Sequence, residues 1–298
     1  MNIRDIEAFV AVVETGSIVG ASTRLNLTQP GVTRRIQNLE DLLGTALLDR
    51  QSKPLKPTSA GLAAYEHGRR VLRTLEDMQA DVCPGRDVTG EFRLGVNPYL
   101  SEASLAEPID RLRTRFPQLR LKVVAGWSPD LLDQTARSAL DAAAVCLPHN
   151  ADPPGELVGE RLGDQPVLLV AARNSDVPNV TTLKELSRQS WVMNQDGCGF
   201  RAVIRRLFES EHLPFQVAVE ALNPDLRLSL IARGLGVGLT TREQLDRCPV
   251  RHALKAVEAA DFKPRVTAWV VHRPPVGRLI GPIETFREAL AETLCVLA

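Results

Sequence analysis

The sequence lacks several features that would place a protein in a class at once. It has no apolar run long enough to cross a bilayer, and its polar first residues, Met1-Asn2-Ile3-Arg4-Asp5, do not form a signal peptide. Its five cysteines lie far apart and without paired spacing, which is typical of reduced thiols rather than of a disulfide framework. We therefore expect a cytoplasmic protein that has no membrane segment.

Sequence motifs for catalysis and for metal binding are missing as well. The five histidines never come within metal-ligand spacing of one another or of a cysteine pair, and no nucleophile elbow appears. The glycine-rich segment Gly234–Gly238 lies inside an apolar run and lacks the strand, turn and helix order of a dinucleotide site. It is better interpreted as a helix stop followed by a packed strand. We expect no enzyme, no metal and no cofactor.

The net charge and the length of the chain exclude fewer classes of protein. With 36 basic and 36 acidic residues, the formal net charge is zero, so global charge does not indicate a nucleic-acid partner. At 298 residues, of which 44% are hydrophobic and 24% charged, the chain has the composition of an ordinary globular protein. Its length predicts two or three domains.

The N-terminal region predicts three helices. The first begins at Ile3 and ends at Gly16, and Ser17 is placed to cap a second helix, Ile18–Leu25. Thr28 is placed to cap a third helix, whose first turn tolerates Pro30. The tight turn between the second and third helices predicts a helix-turn-helix, a motif that lays its second helix in the major groove. A three-helix bundle without a ligand is the alternative.

The third predicted helix has two contrasting faces. Val32, Ile36 and Leu39 recur at helical spacing and predict a buried face. The other face carries long polar side chains that suit base edges and phosphates. The segments Leu47–Arg50 and Leu55–Thr58 predict a hairpin wing, for which a plain surface turn is the alternative. The predicted DNA contacts are Gln29, Pro30, Thr33, Arg34, Arg35, Gln37, Arg50 and Lys53.

The same region resembles the N-terminal domain of the LysR-type transcriptional regulators. The residues that carry the resemblance are Ile6, Phe9, Glu14, Gly16, Ser17, Ala21, Leu25, Thr28, Gln29, Pro30, Val32, Thr33, Ile36, Leu39, Glu40, Leu43, Gly44, Leu47, Arg50, Thr58 and Gly61. The resemblance is dense over the first sixty or so residues and extends in outline over the remainder.

A long helix follows the predicted wing. Ser59 is placed to cap it, and it runs to about Val82, before the Pro- and Gly-containing segment Cys83–Asp87. Heptad spacing predicts a dimerising helix, and the alternative is a helix that packs on its own domain. The a and d positions are Tyr65, Gly68, Leu72, Leu75, Gln79 and Val82.

From Gly90 onward, strands and helices alternate, as in an α/β domain. Two similar halves, with a return to the first half at the end, resemble the family's effector domain, which is related in fold to periplasmic solute-binding proteins. Chain crossings are predicted near Leu162-Gly163 and Lys263–Arg265. The predicted domains are 1–58 (winged helix-turn-helix), 59–89 (linker helix and hinge) and 90–298 (effector domain; lobe 1, 90–162 and 266–298; lobe 2, 163–265).

The predicted effector site lies at loops that follow strands, where helix N-termini favour anions. The candidates are Pro98, Tyr99, Ser101, Trp127, Ser128, Gly197, Cys198, Phe200, Asn223 and Thr240. We expect the Ser101 and Ser128 hydroxyls to face Thr240 and Asn223 across the cleft. The aromatic candidates suit either an aromatic ligand or the core of each lobe, and Cys198 either a redox switch or a buried thiol.

The resemblance implies a regulator that binds double-stranded DNA at an interrupted palindrome as a homodimer or homotetramer. It also implies an effector of low molecular weight, whose identity the sequence does not give, and RNA polymerase as a further partner. An effector acts by binding one arrangement of the protein more tightly than another. The alternative from another class is a solute-binding or enzymatic α/β protein with an accessory helical domain.

Overall fold

A computed structural model describes residues 2–82, 88–100, 102–195, 198–221, 223–263 and 265–297. The chain divides into two compact units. The first unit is Met1–Arg86 together with Arg137–Ala139 and Pro275–Arg278, and the second is the remainder.

Residues 2–82 of the first unit form four α-helices and a short hairpin. These are α1 (Ile3–Thr15), α2 (Ile18–Leu25), α3 (Gln29–Leu43), β1 (Leu48–Asp49), β2 (Lys56–Pro57) and α4 (Ser59–Val82). The Ser17 hydroxyl accepts a hydrogen bond from the Gly20 N–H, and the Thr28 hydroxyl accepts one from the Gly31 N–H, so both predicted caps are confirmed. The cap of α4 was predicted wrongly, because the Thr58 hydroxyl, not Ser59, accepts the hydrogen bond from the Gly61 N–H at 2.9 Å.

The wing and α4 approach each other closely at Gly61. A Cβ atom added there would lie 1.9 Å from the Leu47 carbonyl oxygen, so the backbones meet without room for any side chain. β1 and β2 pair antiparallel, with Leu48 opposite Pro57. The predicted wing is therefore confirmed as a two-stranded hairpin fixed against the start of α4.

The first half of α4 packs on its own domain. Tyr65 and Leu72 pack against the core formed by α1, α3 and β1, and a Cβ added at Gly68 would lie 2.8 Å from Ile6 Cγ2. The prediction that these three positions form an intermolecular seam is wrong, because heptad spacing marks an apolar stripe without showing what covers it. Apolar side chains on other positions of α4 are exposed, at 42% for Val71 and 54% for Met78.

In the second unit, lobe 1 is built on a five-stranded sheet with the order β4-β3-β5-β13-β6. Its strands are β3 (Gly90–Val96), β4 (Leu119–Ala125), β5 (Ala142–Pro148), β6 (Val158–Pro166) and β13 (Arg265–His272), and its helices are α5 (Glu102–Arg115), α6 (Ser128–Ala136) and α11 (Ile280–Leu297). β3 pairs parallel with β4 and β5, and β13 pairs antiparallel with β5 and β6. This mixed sheet confirms the predicted α/β class.

Among the described residues, lobe 2 carries the other strands and α-helices of the second unit. They are β7 (Leu168–Ala172), β8 (Val180–Thr181), α7 (Leu183–Leu186), β9 (Ser190–Met193), α8 (Gly199–Ser210), β10 (Gln216–Glu220), α9 (Pro224–Ala232), β11 (Gly238–Thr240), α10 (Arg242–Arg247) and β12 (Leu254–Ala259). The strands form a four-stranded sheet, β11-β7-β12-β8, and a parallel pair, β10-β9. An added Cβ at Gly236 would lie 2.1 Å from the Ser190 carbonyl oxygen, which confirms the tightly packed interpretation of the glycine-rich segment.

The chain leaves lobe 1 later than the sequence predicted. β6 pairs with β13 as far as Pro166, which is the Cα partner of Arg265. Gly163, where the crossing was expected, instead has a left-handed φ of 136° beside the register shift between Ala268 and Trp269. This glycine marks a bulge within the edge strand, and the crossing follows Pro166.

Candidate nucleic-acid interface and effector cleft

The outer face of α3 presents a continuous polar surface. Gln29, Pro30, Thr33, Arg34 and Gln37 line one open hollow. On the opposite face of the helix, Val32, Ile36 and Leu39 are at most 3% exposed, so α3 has a fixed orientation within its domain. Five of the eight predicted DNA contacts therefore share one surface, which we call the α3 face.

The other three predicted contacts lie outside this hollow. Arg35 turns back toward α1, where its Nη1 lies 3.6 Å from an Asp5 carboxylate oxygen. Arg50 lies on the wing and is 62% exposed, although its Nη2 donates to Glu40 at 2.9 Å. Lys53 is exposed in the turn between β1 and β2. Arg50 and Lys53 are thus exposed cations on the wing, whereas the Arg35 side chain lies against Asp5 of its own domain.

Three further residues line the hollow and were not predicted as contacts: Ile18, Asn38 and Asp41. Asn38 and Asp41 lie one helical turn beyond Arg34 and Gln37, so the same periodicity that identified the face would have found them. The Asp41 carboxylate would repel a phosphate and is able to accept from a cytosine amino group.

Glu40 fixes the wing to α3. Its Oε1 accepts hydrogen bonds from the backbone N–H groups of Leu47, at 2.8 Å, and Leu48, at 3.4 Å. Its Oε2 accepts the Arg50 guanidinium, and the Glu40 side chain is only 11% exposed. One carboxylate therefore positions both the strand that opens the wing and a cation on it.

In the second unit, two neighbouring cavities lie between the lobes. The inner cavity has about 190 Å³ of empty volume and is lined by Pro98, Tyr99, Trp127, Asn194, Pro224, Arg227 and Gln244. The outer cavity is larger, with about 1190 Å³, and is lined by Val96, Asn97, Pro98, Leu100, Leu105, Ala125, Pro224, Asp225, Glu243, Gln244, Arg247 and Pro249. Pro98, Pro224 and Gln244 line both, so the two cavities adjoin.

Three predicted cleft residues line the inner cavity: Pro98, Tyr99 and Trp127. The Tyr99 and Trp127 rings are 6.3 Å apart at an interplanar angle of 55°. Tyr99 is 8% exposed, and its hydroxyl accepts from Asn194 Nδ2 at 2.9 Å, which joins lobe 1 to lobe 2. Burial raises the pKa of Tyr99, with a smaller contribution from the Cys198 thiol. The phenol thus stays protonated as a neutral wall of the cavity.

The Ser128 hydroxyl does not face the cavities, contrary to expectation. It donates to the Cys146 carbonyl at 2.8 Å, and it accepts from the Cys146 N–H at 3.1 Å and from Asn97 Nδ2 at 2.8 Å. These bonds fix the start of α6 to β5 inside lobe 1. A helix-capping position predicts where a hydroxyl sits but not which backbone groups compete for it.

The remaining predicted cleft residues have varied placements. Asn223 caps α9 by accepting from the Leu226 N–H at 2.9 Å and lines neither cavity. Thr240 is 1% exposed and lines neither cavity, and its hydroxyl donates to Oε1 of Gln244, which lines both, at 3.2 Å. Ser101 and Gly197 lie outside the described residues, as does the side chain of Phe200.

Two cysteines lie near Tyr99. Cys198 is 3% exposed, with Asn194 Nδ2 at 3.6 Å from its Sγ, and Cys146 is 7% exposed. Burial raises the pKa of Cys146 to about 12, with a smaller contribution from Cys198. Since the thiolate is the reactive form of cysteine, Cys146 is an inert thiol at neutral pH.

The described part of the chain shows neither of two other kinds of site. No three His, Cys, Asp or Glu side chains there are grouped as metal ligands would be. Its helices include none that combines the length and hydropathy needed to cross a bilayer.

A winged helix-turn-helix joined to a two-lobed α/β domain with a central cleft defines a ligand-responsive, DNA-binding transcription factor. Residues 3–62 match the model of the bacterial regulatory helix-turn-helix protein of the lysR family, and residues 85–295 match that of the LysR substrate binding domain. The chain belongs to the LysR family of transcriptional regulators. It is thus a DNA-binding regulator that responds to a small-molecule effector, as the sequence predicted.

Individual relatives agree with this assignment. The HTH-type transcriptional regulator YeiE of Escherichia coli K12 is 27% identical over 278 residues, which cover 91% of each chain. A full-length OxyR variant from Pseudomonas aeruginosa has a TM-score of 0.78 at 19% identity, covering 97% of this chain and 94% of that one. CbnR in complex with its target DNA has a TM-score of 0.62 at 19% identity, covering 98% and 100%. These relatives are regulators rather than enzymes.

Proposed function

We propose that the α3 face reads base edges in the major groove of an operator, while Arg50 and Lys53 of the wing contact phosphates. The main support for this proposal is that Gln29, Arg34 and Gln37 share one exposed surface of a helix whose other face is buried. Gln suits the N6 and N7 atoms of adenine, and Arg suits the O6 and N7 atoms of guanine. The remaining proposed contacts are Pro30 and Thr33 on the α3 face, and Arg35, which lies outside it.

Dimerisation is proposed to use the exposed apolar side chains of α4, Val71, Met78 and Val82, which are 42%, 54% and 74% exposed. Two such dimers would form a homotetramer on an interrupted palindrome, because two-fold symmetry of the protein requires matching half-sites on DNA. RNA polymerase is the proposed partner once the tetramer is bound. Because its operator is on the chromosome, we expect the protein to act in the cytoplasm.

The effector is proposed to bind in the two cavities between the lobes. Tyr99 and Gln244 join the lobes there, through Asn194 and through the Pro98 carbonyl respectively. A ligand that changes these contacts would bind one arrangement of the lobes more tightly than the other. This difference in binding free energy would shift the arrangement of the paired DNA-binding domains in the oligomer.

A gel-shift assay on the protein's own upstream region tests the DNA-binding proposal. Gln29→Ala and Arg34→Ala should each cost about 1–3 kcal/mol of operator affinity, with a smaller effect on unrelated DNA. Arg50→Ala should weaken binding to both DNAs and flatten the salt dependence. Arg206→Ala, on the exposed side of α8, is the matched control and should bind as wild type does.

Two outcomes would contradict the proposal. Operator affinity unchanged by Gln29→Ala and Arg34→Ala would mean that another surface reads the bases. Absence of any preference for the upstream fragment in the wild-type protein would favour the solute-binding alternative.

A further inference from the structure

Asp41 is an acidic side chain that the fold leaves exposed beside the α3 face, where it lines the same hollow as Arg34. Other carboxylates nearby are used within the domain, because Glu40 accepts from the wing and Asp5 lies against Arg35. The Asp41 side chain, by contrast, forms no hydrogen bond or ion pair with another described residue. Its carboxylate is therefore available to a molecule that occupies the hollow.

An unpaired carboxylate is unfavourable beside DNA unless a base offers it a hydrogen-bond donor. Phosphates repel it, and most base atoms exposed in the major groove are acceptors or methyl groups. The donors in that groove are the N4 amino group of cytosine and the N6 amino group of adenine. Adenine places the acceptor N7 beside its amino group, whereas cytosine itself carries no acceptor in that groove. A carboxylate in the hollow thus favours cytosine among the four bases.

Asn38 lies beside Asp41 and suits a different base. The two residues are three positions apart on α3, so their side chains are neighbours on the helix surface, and both line the hollow. The Asn38 side chain is also exposed and forms no hydrogen bond with another described residue. A side-chain amide donates and accepts at once, which matches the N6 and N7 atoms of adenine. The pair therefore suits adenine and cytosine at neighbouring base pairs.

The spacing along α3 separates this pair from the base that Arg34 would contact. Arg34 and Asp41 are seven residues apart, which returns the chain to nearly the same side of a helix after about 10 Å. Successive base pairs are about 3.4 Å apart, so this distance corresponds to about three base pairs. The surface is thus long enough to read a second group of bases.

We propose that Asn38 and Asp41 are specificity-determining residues for a second part of the operator half-site. Asp41 selects a cytosine about three base pairs from the guanine that Arg34 contacts, and Asn38 selects an adjacent adenine. This rests on the proposed function of the α3 face. The same carboxylate repels the phosphates of every sequence, so Asp41 also lowers the affinity for unrelated DNA. Both effects increase the ratio of operator affinity to non-specific affinity.

The first test selects binding sites for the full-length protein from a random library of double-stranded DNA. A cytosine should recur about three base pairs from the guanine of the half-site. In gel shifts, replacing that C·G pair by T·A should weaken wild-type binding about five- to a hundredfold. N4-methylcytosine keeps the base pair but blocks the amino hydrogen in the major groove, and it should weaken binding by a similar factor. These changes are made in the DNA, so they decide the matter even if a variant protein does not fold.

Protein variants test the carboxylate and the amide themselves. Asp41→Asn keeps the shape and should change the preference from cytosine to adenine. Asp41→Ala should bind C·G and T·A equally, and it should bind unrelated DNA more tightly at low salt than at high salt relative to wild type. Asn38→Ala should lose the preference for adenine at the adjacent pair. Glu7→Gln, which removes an exposed charge from α1, is the matched control and should select the wild-type half-site.

The proposal is overturned if no cytosine is preferred at that distance, or if N4-methylcytosine is bound as tightly as cytosine. It is also overturned if Asp41→Asn or Asn38→Ala keeps the wild-type preference. The bases that depend on Gln29 and Arg34 separate this inference from the function beneath it. A half-site in which those bases are selected and the cytosine is not refutes only the roles of Asn38 and Asp41, whereas the absence of any selected sequence refutes the proposed function.

Discussion

Glu40→Ala should loosen the wing and weaken DNA binding without unfolding the protein. The carboxylate holds the Leu47 and Leu48 N–H groups and the Arg50 guanidinium at once, at 2.8, 3.4 and 2.9 Å. Alanine offers no acceptor to any of the three. Leu47 is 1% exposed, so water does not readily replace the lost acceptor.

The size of the effect follows from these contacts. A buried N–H without an acceptor costs about 1–3 kcal/mol, and the ion pair with Arg50, which is 62% exposed, adds about 0–1 kcal/mol. We therefore expect about 2 kcal/mol of local destabilisation. If the wing opens independently of the rest, its backbone amides should exchange with solvent about 30-fold faster.

Hydrogen–deuterium exchange followed by mass spectrometry measures this directly in peptides that cover residues 44–58. Glu40→Gln keeps one oxygen as an acceptor and should give an intermediate rate. Glu7→Ala, an exposed acidic residue on α1, is the control and should leave the rate unchanged. Exchange in Glu40→Ala equal to that of wild type would refute the assigned anchoring role.

Three further predictions concern α4 and the cysteines. Met78→Asp should abolish dimers in sedimentation while the circular dichroism of the fold remains, whereas Leu72→Asp, on the side packed against α1, should unfold the first unit; the opposite pattern would restore the heptad prediction. Iodoacetamide at pH 8 should label Cys295, which is exposed, and spare Cys146. Because the folded protein keeps the Cys146 proton up to a pKa of about 12 while the unfolded chain releases it near 9.0, stability in urea should fall between these pH values. A Cys146→Val variant with an equally steep fall would contradict that cause.

Local signals in the sequence located the DNA-binding unit well. Ser17 and Thr28 cap helices because a hydroxyl before an apolar periodic run has a backbone N–H within reach, whatever the rest of the fold does. The α3 face follows from helical period alone. The sequence did not show what covers the apolar stripe of α4, because such a stripe looks the same whether α1 or a second chain packs against it.

In the effector domain, the loops were predicted but the directions of side chains were not. Ser128 was expected to reach the cleft, and its hydroxyl is instead used by β5. Arg227 was missed although it interrupts the apolar run of α9, and a lone cation in such a run is a signal of a buried charge. β6 was missed because it is an edge strand whose residues are mostly polar and partly exposed.

The pairing of β6 with β13 makes lobe 2 an insertion within a single strand hairpin. The chain leaves lobe 1 after Pro166 and returns at Arg265, and these two residues are Cα partners. A short turn such as Asn-Gly would therefore join them without changing the register of either strand. Lobe 2 can be exchanged for that of a relative at these two positions, and the resulting chimaeras would show which lobe selects the effector.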